Sequence, residues 1–213
     1  PPYDLWPVDI RRFGKPHQDL EWVRKRTYEA YAKHYTMAWP FEEHSSGRNY
    51  QTSPIFDDLT KANACFGEKL GWERPNWFAP KSTEPKDVYS FDRQNWFKVV
   101  GEEVKATREK AVLIDQTSFA KFLISGSESL KALEYICANN INKPVGSTIY
   151  TQMLNHHGGI ECDVTITVID KNTFYLVTGT GFMTHDLNWI SANTPNGMDV
   201  KIKNITYENS VFS

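Results

Sequence analysis

One carboxylate stands out in the run Tyr150-Thr-Gln-Met-Leu-Asn-His-His-Gly-Gly-Ile-Glu-Cys-Asp163, because Asp163 sits in a stretch that otherwise alternates apolar and hydroxyl side chains. Read as a strand from Ile160, the pattern places Ile160, Cys162, Val164, Ile166 and Val168 on one face and Glu161, Asp163, Thr165 and Thr167 on the other. A carboxylate accepts hydrogen bonds from the N–H groups of a heterocycle, and a tyrosine can cover its ring. Such a strand suits the wall of a polar-ligand site, although the pattern fits equally well a solvated carboxylate on an ordinary hairpin. Tyr150 falls on the partner strand. An even loop, such as Asn155–Gly158, puts Tyr150 directly opposite Asp163, whereas an odd loop sends the two to opposite faces. Thr178, at the end of a strand over Phe174–Thr178, is expected to add a hydroxyl to this wall, and Asp115–Phe119 reads as a turn between strands.

Other chemistries lack their residues. His156 and His157 are adjacent, so their side chains diverge, and no HxxH or HExxH spacing occurs; no metal is expected. No serine or cysteine lies in a strand-to-helix elbow, and Cys162 shares the apolar face. Gly158-Gly159 is a turn between strands, and Gly179-Thr-Gly181 lacks the third glycine of a dinucleotide fingerprint, so this chain is expected to bind no nucleotide.

Elements of two kinds must position these groups. Asp19 is a candidate cap for a helix to about Tyr35, along which Leu20, Val23, Thr27, Tyr31 and Tyr35 recur at steps of three and four. Ser53-Pro54 opens a second helix, with a stripe from Ile55 or Phe56 through Leu59 and Ala62 to Phe66. From Gly71 to Phe97 the chain is rich in Trp and Pro and reads as ordered loop, followed by a helix over roughly Glu102–Lys110. Strands are then expected at Val112–Asp115, Ala120–Ile124, Tyr150–Leu154, Ile160–Ile169, Phe174–Thr178 and Met198–Asn204. A helix capped by Ser127 is expected to run through Cys137, and another from about Met183 to Ala192. Strands adjacent in pairs favour an α+β fold with a largely antiparallel sheet and flanking helices.

The 213 residues suffice for a large core, and 24 Lys+Arg against 26 Asp+Glu leave no basic footprint for nucleic acid or a membrane surface. Three dispersed cysteines without a CxxC pair fit a reducing compartment, the cytoplasm of a bacterium or the mitochondrial matrix. No apolar run is long enough to span a bilayer, and no signal peptide opens the chain. The chain starts at Pro1-Pro2 and stops in mid-pattern at Asn209–Ser213, which reads as a fragment of a longer protein. Trp6, Trp39, Trp77 and Trp96 lie in non-periodic segments and are expected to leave apolar surface that absent domains cover.

Gly71-Trp-Glu-Arg-Pro-Asn-Trp-Phe78, Phe119-Ala-Lys-Phe122, Tyr150–Asn155 and Gly158–Asp163 resemble the folate-binding module of the glycine-cleavage T protein. Tyr3–Phe13, and Gly47-Arg48 followed by Ser53-Pro54, resemble the central segment of the dimethylglycine and sarcosine dehydrogenase family. The resemblance spans essentially the whole chain. It implies residues 1–58 as a central segment and 59–213 as the N-terminal part of an aminomethyltransferase-type folate-binding domain. FAD would sit in an upstream domain of the same protein that oxidises an N-methyl amine, and tetrahydrofolate would capture the one-carbon unit as 5,10-methylenetetrahydrofolate. By the same resemblance Asp163 is the catalytic carboxylate at the reacting folate nitrogen, Tyr150 and Thr165 are pterin contacts, Phe119 packs on the ring and Thr178 is a polar contact. Further folate contacts would lie downstream of Ser213. The T protein usually carries two acidic residues where this chain has Cys162-Asp163, which favours the dehydrogenase branch over a stand-alone aminomethyltransferase. Tyr3–Phe13 and Thr52–Leu59 also resemble the non-catalytic regulatory subunit of pyruvate dehydrogenase phosphatase, and an upstream dinucleotide fingerprint with a flavin-linking histidine would separate that reading from the enzyme.

Overall fold

A computed structural model describes residues 5–213; Tyr3 and Asp4 of the opening motif lie outside the described residues. The chain divides into two compact units, Phe13–Ser118 with Ser210–Ser213, and Phe119–Asn209 with the opening segment through Arg12.

In the Phe13–Ser118 unit, helix α1 (Leu20–Lys33) starts where expected, its Asp19 cap accepting from Glu21 N at 2.9 Å and Trp22 N at 3.2 Å. Its inward face is not the apolar stripe. Leu20, Tyr31 and Tyr35 are exposed, while Trp22, Arg26, Glu29 and Lys33 turn inward. Polar partners explain the exchange: Arg26 pairs with Glu68 at 2.8 Å, and Glu29 accepts the backbone N–H of Ser45 and Ser46. Trp22 donates its indole N–H to the Gly47 carbonyl at 2.7 Å; a Cβ at Gly47, whose φ is +61°, would meet that indole nitrogen at 2.7 Å.

The second helix is shorter than its apolar stripe. Helix α2 (Phe56–Lys61) stops before Asn63, whose φ of +67° breaks the helix and whose amide donates to the carbonyls of Ala79, Pro80 and Thr83. Phe66 therefore lies in a strand. The Trp-rich segment is likewise no loop at its start: β1 (Ala64–Lys69) and β2 (Trp72–Phe78) form an antiparallel hairpin. Pro75 hid the strand, since proline cannot donate to a ladder, and it sits where the register shifts between Cys65 and Phe66. The two-residue turn takes Leu70 and Gly71 at φ +49° and +87°. Helix α3 (Phe97–Glu109) follows. Val112–Asp115 forms no strand; Asp115 makes only an isolated bridge to Phe212.

The other unit is a five-stranded antiparallel sheet of β3 (Ala120–Ser125), β4 (Thr148–Leu154), β5 (Ile160–Asp170), β6 (Thr173–Thr178) and β7 (Lys201–Asn204), in the order β4-β5-β6-β3-β7. Helices α4 (Ser129–Ile136) and α5 (Met183–Asn193) supply Leu133, Ile136 and Ile190 to the core on one face of it. Ser127 is not the α4 cap, because its hydroxyl is held by Asp199 at 2.7 Å. The architecture is α+β with antiparallel sheets and flanking helices. Of the four tryptophans in question, Trp77 is fully buried, against expectation, Trp6 and Trp96 are half-buried, and Trp39 is exposed.

Candidate functional site

Strands β4 and β5 place Asp163 across from Gln152 and Tyr150 across from Thr165. Tyr150 is thus not directly opposite Asp163, but the two share the face turned away from α4 and α5, two residue pairs apart along adjacent strands. The hairpin loop has five residues, Asn155–Gly159, and an odd loop alone would have separated them. Leu154 pairs with Ile160 and Met153 with Cys162, so Glu161 is an extra, bulged residue. The two odd counts cancel, and Asp163, Thr165 and Tyr150 return to one face. Asp163 is exposed, Thr165 half-buried, and Tyr150 is 59% exposed. Continuing the β3–β6 register beyond Ala120–Thr178 places half-buried Phe119 on the same face.

Thr178 does not join them. It lies on the helix-covered face, and its hydroxyl donates to the Asp186 carboxylate. The bulge also overturns two expectations: Ile160 is 67% exposed rather than in the core, and Glu161 turns to the helix side instead of standing beside Asp163. There it meets a cluster that the sequence did not flag.

Asp186, 1% exposed on α5, holds His185 through Nδ1 at 2.8 Å, and the other ring nitrogen lies 3.5 Å from Glu161. Glu161 in turn accepts from the Asn155 side chain at 2.8 Å, and the Asn155 side-chain oxygen accepts the backbone N–H of His157 and Gly159 at 2.9 Å each. A chain of hydrogen bonds therefore runs from buried Thr178 to the hairpin turn. The bond to Asp186 raises the His185 pKa above its usual value; burial opposes this and the charges of Asp186 and Glu161 add to it. Trp6 packs edge-on against His185 with centroids 4.7 Å apart. The one signal for this cluster in the sequence was His185-Asp186 in an amphipathic helix, which gives no hint of Glu161.

Cys162, His185 and Asp186 bring three potential metal-ligand atoms within 4.8 Å of one another, the group of this kind found among the described residues. Both Asp186 oxygens already serve Thr178 and His185, and burial pushes the Cys162 thiol far up, so the group is a hydrogen-bonded cluster rather than a ligand set.

Residues 55–213 match the GCVT N-terminal domain model, and residues 1–53 match that of the FAD dependent oxidoreductase central domain. The chain belongs to the GCVT N-terminal domain family. This GCVT-domain chain is 35% identical to dimethylglycine dehydrogenase, mitochondrial, of Rattus norvegicus, over 100% of its own length and 25% of that protein. It is 32% identical to the pyruvate dehydrogenase phosphatase regulatory subunit, mitochondrial, of Mus musculus, over 98% of its length and 24% of that protein. The chain thus spans about a quarter of the length of these curated relatives. Its fold is that of the glycine cleavage system aminomethyltransferase T from Bartonella henselae (TM-score 0.59, 21% identity, 74% of this chain and 39% of that one).

Proposed function

We propose that this chain is the central segment, residues 1–58, and the N-terminal part of the folate-binding module, residues 59–213, of a flavin-dependent N-methyl amine dehydrogenase of the dimethylglycine or sarcosine type. The observation that carries the reading is the open β4–β5 face, where Asp163, Thr165 and Tyr150 stand together in a GCVT-family domain. The donor set suits a reduced pterin: a carboxylate for ring N–H groups, a hydroxyl beside it and an aromatic ring within reach. Phe119, half-buried on the same face, is the residue proposed to pack on that ring. Thr178 is committed to Asp186, so it contributes through the hydrogen-bonded cluster and not as a ligand contact.

Tetrahydrofolate supplies the nitrogens that take up a one-carbon unit, and FAD, in a domain upstream of this chain, supplies the hydride acceptor for the amine. What the present residues do is bind and orient. Asp163 would accept the ring N–H of a bound reduced pterin and could take up its proton, and Tyr150 and Thr165 would fix the plane of the ring. The setting proposed is the mitochondrial matrix or a bacterial cytoplasm; the word mitochondrial in the names of the two curated relatives supports the first.

Asp163→Asn in the full-length protein tests the assignment, because it keeps the size and removes the charge. Losing a charge-assisted bond to the ligand should remove roughly 1.5–3 kcal/mol, about ten- to a hundredfold in folate affinity. Flavin reduction by the amine should stay near normal while methylenetetrahydrofolate yield falls and free formaldehyde rises. Unchanged folate binding and yield would sink the role of Asp163. The non-catalytic alternative rests on the 32% identity to the phosphatase regulatory subunit, and an absence of flavin reduction by any N-methyl amine would favour it.

A further inference from the structure

The Phe13–Ser118 unit holds a cavity of about 270 Å³ whose walls include Phe41, Trp77 and Trp96 together with Glu43, Asn76 and Asp87. The Phe41 and Trp96 rings meet edge-on, centroids 5.7 Å apart at 76°. Aromatic rings carry negative faces, so a ring-walled cavity attracts diffuse positive charge.

The two carboxylates act in the same direction. Asp87 accepts from the Trp77 indole at 2.7 Å, and Glu43 accepts from Asn76 at 2.8 Å and from Glu68 N at 2.7 Å. These neutral donors hold both side chains in place; the Arg48 guanidinium, paired with Glu73, also feels the Glu43 charge without forming an ion pair with it. Among the described residues neither carboxylate lies in an ion pair; Lys33 reaches only the Glu43 carbonyl, at 3.5 Å, and pairs with Glu29 and Glu42. The surroundings register the field: burial and then the Asp87 charge push the Cys65 thiol up to about 12.

Phe41 adds an independent sign of use. It occupies the third place of the turn Trp39-Pro-Phe-Glu42, closed by Glu42 N to Trp39 O at 3.0 Å, with φ +62°. Glycine is the residue that normally tolerates that conformation, yet here it carries a bulky ring that is 73% exposed at the cavity. Strain of this kind collects where a side chain must be presented to a ligand.

We propose that this cavity binds a small N-alkylated ammonium ion, held against Phe41, Trp77 and Trp96 and by the field of Glu43 and Asp87. A bare metal cation would seek several oxygen ligands, whereas ring walls favour a cation clothed in methyl groups. The volume lies below the roughly 300–1,000 Å³ of drug-sized sites, which limits the ligand to a few carbons.

Fluorine NMR of the full-length protein labelled with fluorotryptophan tests this, the Trp96 signal being assigned with Trp96→Phe. Titration with choline should shift that signal saturably. The neutral carbon analogue of choline, with carbon in place of nitrogen, should bind about tenfold more weakly or worse. Phe41→Ala, at an exposed ring, and Asp87→Asn should each weaken choline several-fold without altering tetrahydrofolate binding or thermal unfolding. No saturable shift, equal binding of the neutral analogue, or full affinity in both variants would overturn the proposal; an Asp87→Asn protein that fails to fold leaves Phe41→Ala to decide.

Discussion

His185 is the residue whose titration the structure makes measurable. The Asp186 carboxylate holds its protonated form, with Glu161 on the other nitrogen and Asp9 contributing charge from the opening segment. A histidine whose folded pKa is raised adds stability that is fully present below its unfolded value of about 6.5 and is lost as pH rises through the folded value. The His185 ring proton should therefore titrate with a midpoint above 6.5 in NMR, and Glu161→Gln should lower that midpoint. A midpoint that Glu161→Gln leaves in place would show that the pair does not couple. The cysteines carry a second expectation. Burial raises the thiols of Cys65 and Cys137 to about 12 and that of Cys162 beyond them, so iodoacetamide at neutral pH should label none of the three until denaturant is added. Rapid labelling of Cys162 in the native protein would contradict its place in the core.

Two hairpins show what an element demands of its turn. Gly71 combines φ +87° with no room, since a Cβ there would meet Pro16 Cγ at 2.3 Å. Gly158 has φ +78° but open space around it. Asparagine tolerates the left-handed region, so Gly158→Asn should cost less than about 1 kcal/mol and Gly71→Asn roughly 2 kcal/mol or more in urea denaturation. Equal costs would mean that the Pro16 contact relaxes freely. Both hairpins also mark the limits of reading a sequence. The β4–β5 alternation was legible because its polar face repeats along the strand, yet its register was not, since a bulge leaves no mark in the pattern of apolar residues. The β1–β2 pair was missed because Pro75 argues against a strand and because tryptophans fit loops and strands alike. In α1 the apolar spacing pointed outward, where charged residues with long-range partners at Glu68 and Ser46 had taken the inner face.

On the scale of the molecule, each compact unit depends on its own interior. In the Phe13–Ser118 unit, Glu73 is buried and meets Arg48 Nε at 2.9 Å and Asn49 N at 2.6 Å, while Arg48 also reaches the Phe66 carbonyl at 2.8 Å. Arg48→Ala leaves that carboxylate without its cation, which should cost about 3–5 kcal/mol. Hydrogen exchange should then show the largest loss of protection within residues 13–118, and a loss spread evenly through β3–β7 would argue against separate cooperative units. The same ion pair gives the Gly47-Arg48 motif its physical content: one residue accommodates Trp22 and the next neutralises Glu73. The fold class and the Asp163 face could be read from such local patterns. The Glu161–His185–Asp186 cluster could not, because it joins residues brought together only by the sheet and α5.

The bulge at Glu161 sets an arithmetic rule for length change in this hairpin. Which side of the sheet Asp163 faces depends on whether the loop count plus the bulge count is even or odd. One residue inserted into Asn155–Gly159, with the bulge kept, would turn the carboxylate to the side of α5 and bring Ile166 out in its place. Two inserted residues would leave both where they are. Growth of this loop is therefore permitted in steps of two, and a change of one is permitted only where the bulge is lost along with it.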